Sequence, residues 1–207
     1  MIHYSRLLAC VFALAAAPAF AQDNQLYEQP ADPNASFVRI VSPGESLAVV
    51  GGNTFENVQG GVSPYVMMKA GPVSVAVGDL VGNGDIPPTS FYTFVIGMDG
   101  TLHLLQDTIE NSPAKADLVF YNLSDLASVD LFVPAVDALA LADIVQNTSR
   151  QVTLKAPLML DFEVRNGDVV LATLPGVSMR RRAGVTVVFS GTAGAYTAFS
   201  TENLYLN

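Results

Sequence analysis

Past residue 10 this chain has no cysteine, and that absence constrains its fold more than any other feature. The single cysteine, Cys10, lies inside a leader. Met1–Arg6 carries one positive charge, Leu7–Phe20 is an apolar run, and Ala19-Phe20-Ala21 closes it with small residues at the positions that determine cleavage. The pattern predicts a secretory signal peptide over residues 1–21, cleaved near Ala21. The run is shorter than the roughly 20 apolar residues a spanning helix needs, and Pro18 interrupts it. The mature chain therefore has no disulfide, no thiolate nucleophile and no thiolate metal site, although export would permit disulfides. Stability must come from burial, and about 185 residues can build one or two modest cores.

Removal of Arg6 leaves nine Lys and Arg against 19 Asp and Glu, which moves the formal net charge from −9 to −10. Such a chain does not bind nucleic acid or anionic lipid through bulk electrostatics. A charge-driven grip on a polyanionic polysaccharide is disfavoured on the same ground unless a local basic patch overrides the average.

Hydrophobic residues recur with period two far more often than 3.6. Val38 and Ile40 alternate with Phe37, Arg39 and Val41; Val73, Val75 and Val77 alternate with small residues; Phe91–Ile96 mixes aromatic and β-branched side chains. Further runs lie at 118–121, 129–133, 152–154, 158–164, 169–174 and 185–189, and Asn166-Gly167 suits a tight hairpin turn. One stretch breaks the pattern: Ala135–Ile144 predicts a short helix, with Ala and Leu favouring it and Pro134 tolerated at its start.

The two halves echo each other. Val66-Met67-Met68-Lys69-Ala70 parallels Val152-Thr153-Leu154-Lys155-Ala156, and Phe55–Val58 parallels Leu141–Ile144, at a constant offset of 86. Gly78-Asp79 likewise answers Gly167-Asp168 after a small insertion. A period this long signals a duplicated domain rather than a short-repeat solenoid. The expectation is an all-β protein of two tandem small antiparallel β-sandwich domains joined by a short linker: an arm over 22–36, a first domain over 37–105, a linker over 106–116 and a second domain over 117–207.

Catalytic chemistry is sparse. A serine triad needs a histidine beside its nucleophile, and the mature chain offers only His103, on an alternating run where it falls opposite Leu102 and Leu104. Neither a G-x-S-x-G elbow nor a G-D-S block occurs. Asp79, Asn83 and Asp85 could offer oxygen to calcium, but their spacing does not fit a calcium loop, and a Gly-rich turn ahead of Pro87-Pro88 accounts for them. The sequence thus predicts no catalytic residue, no metal site and no cofactor.

Two features remain. Arg180, Arg181 and Arg182 gather three of the nine mature cations just ahead of the run at Val185, where they suit an acidic partner, a carboxylated polymer or an anionic membrane surface, or else a solvated loop guarding a sheet edge. The arm carries Tyr27 on an extended path stiffened by Pro30 and Pro33. Tyr27 and Arg180–Arg182 are therefore the candidate partner-binding residues.

Leu26-Tyr27, Pro30, Pro33 and Ser36-Phe37-Val38-Arg39, following a signal peptide and preceding tandem β domains, resemble the AlgF-type family of periplasmic accessory proteins of alginate O-acetylation. The resemblance implies a periplasmic, non-catalytic adaptor required for acetylating an exopolysaccharide, alginate or a similar polymer such as cellulose. It implies two partners, a periplasmic serine-dependent acetyltransferase and a membrane-bound O-acyltransferase, with the polysaccharide as a further candidate and nucleic acid excluded. The alternative is a periplasmic carbohydrate-binding module. The lack of tryptophan weighs against it, while Tyr65, Tyr92, Tyr121 and Tyr196 remain available for sugar stacking.

Overall fold

The computed structural model describes residues 32–44, 47–56 and 59–206. The leader and Tyr27 lie outside them. Seventeen strands make up the described chain. The first half contributes β1 (Ser36–Val41), β2 (Leu47–Val50), β3 (Asn53–Glu56), β4 (Tyr65–Met68), β5 (Gly71–Val77), β6 (Leu80–Ile86), β7 (Phe91–Ile96) and β8 (Leu102–Asp107). The second contributes β9 (Lys115–Ser124), β10 (Ser128–Val133), β11 (Ala138–Val145), β12 (Thr148–Lys155), β13 (Leu158–Asn166), β14 (Val169–Met179), β15 (Gly184–Thr192) and β16 (Ala195–Glu202), and β17 (Tyr205–Leu206) closes the chain.

The strands form four sheets, ordered β17-β4-β1-β7-β8, β3-β2-β5-β6, β12-β9-β15-β16 and β11-β10-β13-β14. Period-two alternation sends every second side chain inward. Val38 and Ile40 of β1, Val50 of β2, Val75 of β5 and Phe94 of β7 share one buried core between the first two sheets. Leu118 and Phe120 of β9, Leu131 of β10, Phe162 and Val164 of β13 and Val187 of β15 share another between the last two. The result is two β-sandwiches of the kind that alternation predicts.

The sandwiches repeat each other strand for strand. Apart from β17, the order β4-β1-β7-β8 matches β12-β9-β15-β16, and β3-β2-β5-β6 matches β11-β10-β13-β14. The sequence offset of 86 has a direct counterpart: Val66 lies opposite Val38, and Val152 lies opposite Leu118. Gly78-Asp79 turns β5 into β6 as Gly167-Asp168 turns β13 into β14, with Gly167 at φ 58°.

Pairing is mixed rather than wholly antiparallel. β1 runs parallel to β7, and β9 runs parallel to β15. In each copy the chain leaves the first strand, forms two strands of the opposite sheet, returns to flank the first strand with β4 or β12, completes the opposite sheet and comes back on the first strand's other side, and such a crossover permits the parallel sense.

The helix expected over Ala135–Ile144 is not formed. Pro134–Val136 makes a single 3-10 turn, and Ala138–Val145 is strand β11, paired with β10. Ala and Leu favour helix only weakly, whereas burial of Leu141 and Ile144 against the core requires extended backbone.

Residues 108–114 connect β8 to β9. Asp117, almost wholly buried, accepts the backbone N–H groups of Glu110 and Asn111 at 3.3 and 3.1 Å and the hydroxyl of Thr153 at 3.1 Å. These bonds fix the connection against β9 and β12. The described residues form one compact unit.

Candidate interaction site

The outward rows of the two first sheets meet. On β1 and β7, Val41 and Val95 point away from their own core; on β9 and β15, Val119, Tyr121, Leu123 and Val188 do the same, and together with Val62 they form a third buried cluster. Leu105, Ile109 and Phe199 pack against its margin. This seam joins one sandwich to the other.

A fully buried arginine sits in the seam. Arg39, on the outward face of β1, donates from Nε to Thr93 Oγ1 (3.0 Å), from Nη1 to Thr186 Oγ1 (2.8 Å) and Asn203 Oδ1 (3.1 Å), and from Nη2 to Tyr121 OH (2.9 Å). Its counter-ion is Asp107, 3.8 Å away at the end of β8. The Asp107 carboxylate in turn accepts the hydroxyls of Tyr65 (2.7 Å) and Tyr121 (2.6 Å). The Tyr65 ring lies 4.1 Å from the guanidinium carbon, close enough for a cation–π contact. Burial alone would lower the Arg39 pKa, but the Asp107 carboxylate and the hydrogen bond to Tyr121 outweigh it, so the pKa is raised and the guanidinium stays charged. Burial, the largest cause in each case, pushes both Tyr65 and Tyr121 above the ordinary phenol range. A buried cluster of this kind clamps structure together, with the Asn203 side-chain amide nitrogen as the one buried polar atom in it left without a partner.

The duplication makes the cluster legible. Arg39 lies beside Thr93 on β7, and in the second copy Val119 lies beside Thr186 on β15. Asp107 pairs with Phe91 at the end of β8, and Asn203 binds Gly184 through its backbone just past the end of β16. An Arg/Asp pair in one sandwich thus replaces a Val/Asn pair in the other, and the first copy's charge reaches across to the second copy's Thr186 and Asn203. Alternation placed Arg39 within an apolar strand, and an arginine at such a position needs buried partners; that was the available signal, but it did not name them.

Of the predicted partner-binding residues, Tyr27 lies outside the described residues. Arg180–Arg182 form an exposed loop between β14 and β15, and the structure ties each of them locally. Arg180 pairs with Glu202, Arg181 Nε donates to the Ala156 carbonyl at 2.9 Å, and Arg182, at φ 59°, donates its backbone N–H to the Lys115 carbonyl. Beside the loop lies a cleft of 360 Å³ that reaches Ser178, Ser200 and Thr201. Thr201 and Glu202 also line a neighbouring cleft of 320 Å³ bounded by Phe55, Glu56 and Pro64.

Two of the tyrosines considered for sugar stacking, Tyr65 and Tyr121, have no exposed surface. Both belong to the seam.

His103, on β8, is half-buried at the surface. Its Nε2 lies 3.0 Å from Asp99 Oδ1 and 3.1 Å from Thr101 Oγ1. In a nucleophile–histidine–carboxylate relay the hydroxyl and the carboxylate occupy opposite ring nitrogens. Here both meet the same one, so the group is a surface hydrogen-bond cluster that closes the turn between β7 and β8. No group of three or more His, Cys, Asp or Glu suited to a metal ion occurs among the described residues.

The C-terminal segment, which the sequence left open as strand or tail, crosses back to the first sandwich. β17 adds a parallel strand outside β4, and Tyr205 stacks on Tyr65 with ring centres 5.5 Å apart and meets Phe37 edge-on at 5.9 Å. The chain end therefore bridges the two copies a second time.

Fold and seam together define an all-β protein of two like sandwiches, clamped by a buried arginine and strapped by the C-terminus. No helix among the described residues is long and apolar enough to cross a membrane. A family model described as alginate O-acetyl transferase AlgF matches residues 9–183, and the chain belongs to that family. The membership ties it to alginate O-acetylation, as the motif at Leu26–Arg39 led one to expect. A solved structure of the C-terminal domain of AlgF from P. aeruginosa is similar at 17% identity, covering 44% of this chain and 99% of that one, with a TM-score of 0.39. None of the curated proteins matches the chain.

Proposed function

We propose that this protein is a non-catalytic periplasmic adaptor required for O-acetylation of alginate or a similar exopolysaccharide, bridging the membrane-bound O-acyltransferase and the periplasmic serine-dependent acetyltransferase of its pathway. The observation that carries the reading is the seam: two copies of one sandwich fastened into a single body by a buried ion pair and a C-terminal strap. A fixed spacing between two surfaces suits a bridge, because neither partner's contact is lost to independent domain motion. The His103 cluster supports the non-catalytic part, since its one nitrogen is shared by Asp99 and Thr101 and no proton relay runs through the ring. The buried positions of Tyr65 and Tyr121 weigh against the carbohydrate-binding module.

Arg180 and its neighbours offer a basic contact on an otherwise acidic chain, and in this reading Tyr27 contributes from the arm. The test is capture of the purified acetyltransferase and of the detergent-solubilised acyltransferase by the mature protein, together with polymer acetylation in cells. Binding of both enzymes, with acetylation unchanged in His103→Ala, is the expected result. Loss of acetylation in His103→Ala with its fold intact would overturn the non-catalytic assignment. Capture undiminished in Arg180→Glu would remove the basic loop from the contact.

A further inference from the structure

The sequence shows three adjacent arginines, and the fold brings two lysines to them. Lys115 opens β9 and Lys155 closes β12, and the two stand directly opposite in the antiparallel register. The backbone N–H of Arg182 meets the Lys115 carbonyl at 3.2 Å, and Arg181 reaches across to the Ala156 carbonyl at 2.9 Å. Lys155, Lys115 and Arg182 thus cross one end of the sheet β12-β9-β15-β16, one cation per chain segment at a spacing of about 4.8 Å. Arg180 continues the row to Glu202 at the end of β16. Five of the nine mature cations therefore gather on this end of the second sandwich.

Guarding a sheet edge does not explain the row, because β9 and β15 are the central strands of their sheet. Stability does not explain it either, since like charges directly opposite each other on paired strands repel. Nor do the adjacent carboxylates cancel the charge. Glu110 pairs with Lys115 at 3.4 Å and Glu202 with Arg180, both as exposed pairs, which are weak and screened by salt. Asp117, two residues along β9, is buried and accepts the N–H groups of Glu110 and Asn111 and the Thr153 hydroxyl. Even with all three counted, the row keeps an excess of two positive charges on a mature chain of net charge −10.

That contrast selects the shape of the ligand. The field of the row extends about 8–10 Å before salt screens it. A broad anionic body, such as a membrane or a flat acidic protein surface, would also meet the carboxylates on the rest of the chain, whereas a narrow linear polyanion lies along the row alone. In a uronate chain the charges recur once per pyranose ring, a repeat close to the spacing of neighbouring strands. Arginine meets a carboxylate with two parallel N–H donors, and the cleft of 360 Å³ beside Arg180 adds the hydroxyls of Ser178, Ser200 and Thr201.

We propose that Lys115, Lys155, Arg181 and Arg182 form a binding site for a linear polyuronate, held by its carboxylates along the end of the sheet β12-β9-β15-β16. The grip is by charge and needs none of the ring stacking that burial of Tyr65 and Tyr121 rules out. The proposal goes beyond the adaptor reading and does not depend on it, because polymer binding and enzyme capture are separate measurements on the same protein.

The experiment titrates the mature protein with a short polymannuronate oligomer and, as the uncharged comparison, a cello-oligosaccharide of the same length. Lys155→Gln combined with Arg182→Gln removes two exposed charges from the row; Arg150→Gln, which removes an exposed cation elsewhere on β12, is the control. The expected result is saturable binding of polymannuronate that weakens as salt rises, no binding of the neutral oligomer, a loss of at least about fivefold in affinity in the double variant and none in the control. Failure of the unmodified protein to bind polymannuronate, equal binding of the neutral oligomer, or undiminished affinity in the double variant each overturns the proposal. The last outcome, joined to a loss of binding to the purified acetyltransferase or to phosphatidylglycerol vesicles, reassigns the row to an acidic protein or to lipid. Capture of both enzymes by the double variant leaves the adaptor reading standing whatever the oligomer does.

Discussion

Arg39 Nη1 donates to Thr186 Oγ1 at 2.8 Å across 147 positions of sequence, and the bond joins the two sandwiches. Removing a buried cation leaves its carboxylate unpaired, at a cost of about 3–5 kcal/mol. Arg39→Val should therefore lower the stability of the whole unit by about that amount in a denaturant titration, because Asp107 would remain buried without a counter-charge. The second copy supplies the compensating change: Val119 and Asn203 occupy the equivalent places. Arg39→Val combined with Asp107→Asn should recover most of the loss, and a double variant no more stable than the single one would refute the assignment of Asp107 as the counter-ion.

Cutting the chain before Leu204 removes β17 and the stacking of Tyr205 on Tyr65. The backbone bond from Tyr65 N–H to the Leu204 carbonyl, 2.8 Å, goes with it. Burial and aromatic pairing of a half-exposed tyrosine contribute about 1–3 kcal/mol. The truncated protein should lose stability on that scale, and hydrogen exchange at the Tyr65 amide should accelerate. An unchanged exchange rate at Tyr65 would show that the strap does not hold this sheet edge in solution.

Asp99 gives a pH signature. The hydrogen bond from His103, followed by those from the Thr101 N–H and hydroxyl, holds its carboxyl down to about 2 from an ordinary 3.8. A group whose folded pKa is depressed stabilises the fold above its unfolded pKa, and that contribution fades as pH falls from 3.8 through 2. Carboxyl NMR titration should place the Asp99 midpoint near 2, and in His103→Ala it should climb toward 3.8. A midpoint unmoved by that substitution would assign the shift to the Thr101 bonds alone.

Sheet content and the duplication were legible because each depends on short-range pattern. Val38, Ile40, Val73, Val75 and Val77 alternate, and Val66 and Val152 stand 86 positions apart in equivalent strands. The parallel pairs β1–β7 and β9–β15 were not legible, because strand direction depends on how the chain returns after building the opposite sheet. Ala138–Val145 misled for a related reason: its Ala and Leu content argues locally for helix, while the decisive term is pairing with β10. The seam was hidden more deeply. Arg39, Asp107, Tyr121, Thr186 and Asn203 are spread from one end of the described residues to the other, the first four on strands and Asn203 just past one, and no local pattern links them. Exposure was equally opaque, since Leu139 and Leu141 read alike and only the bulged register of β11 sends one to solvent and the other to the core.

Gly60 tests how closely the sandwiches approach. It lies in the 3-10 turn Gln59–Gly61 at φ 61°, and a Cβ placed there would run into the Phe199 ring on β16. Gly60→Ala thus meets two penalties, left-handed backbone strain and a clash at the margin of the seam, which together should cost about 2–4 kcal/mol. The clash alone is removable. In a double-mutant cycle, Phe199→Ala should relieve part of the Gly60→Ala penalty while the backbone strain persists, giving a coupling energy of about 1–2 kcal/mol. Strict additivity of the two substitutions would mean that Gly60 and Phe199 do not touch in solution and that the first sandwich meets β16 less tightly than this contact requires.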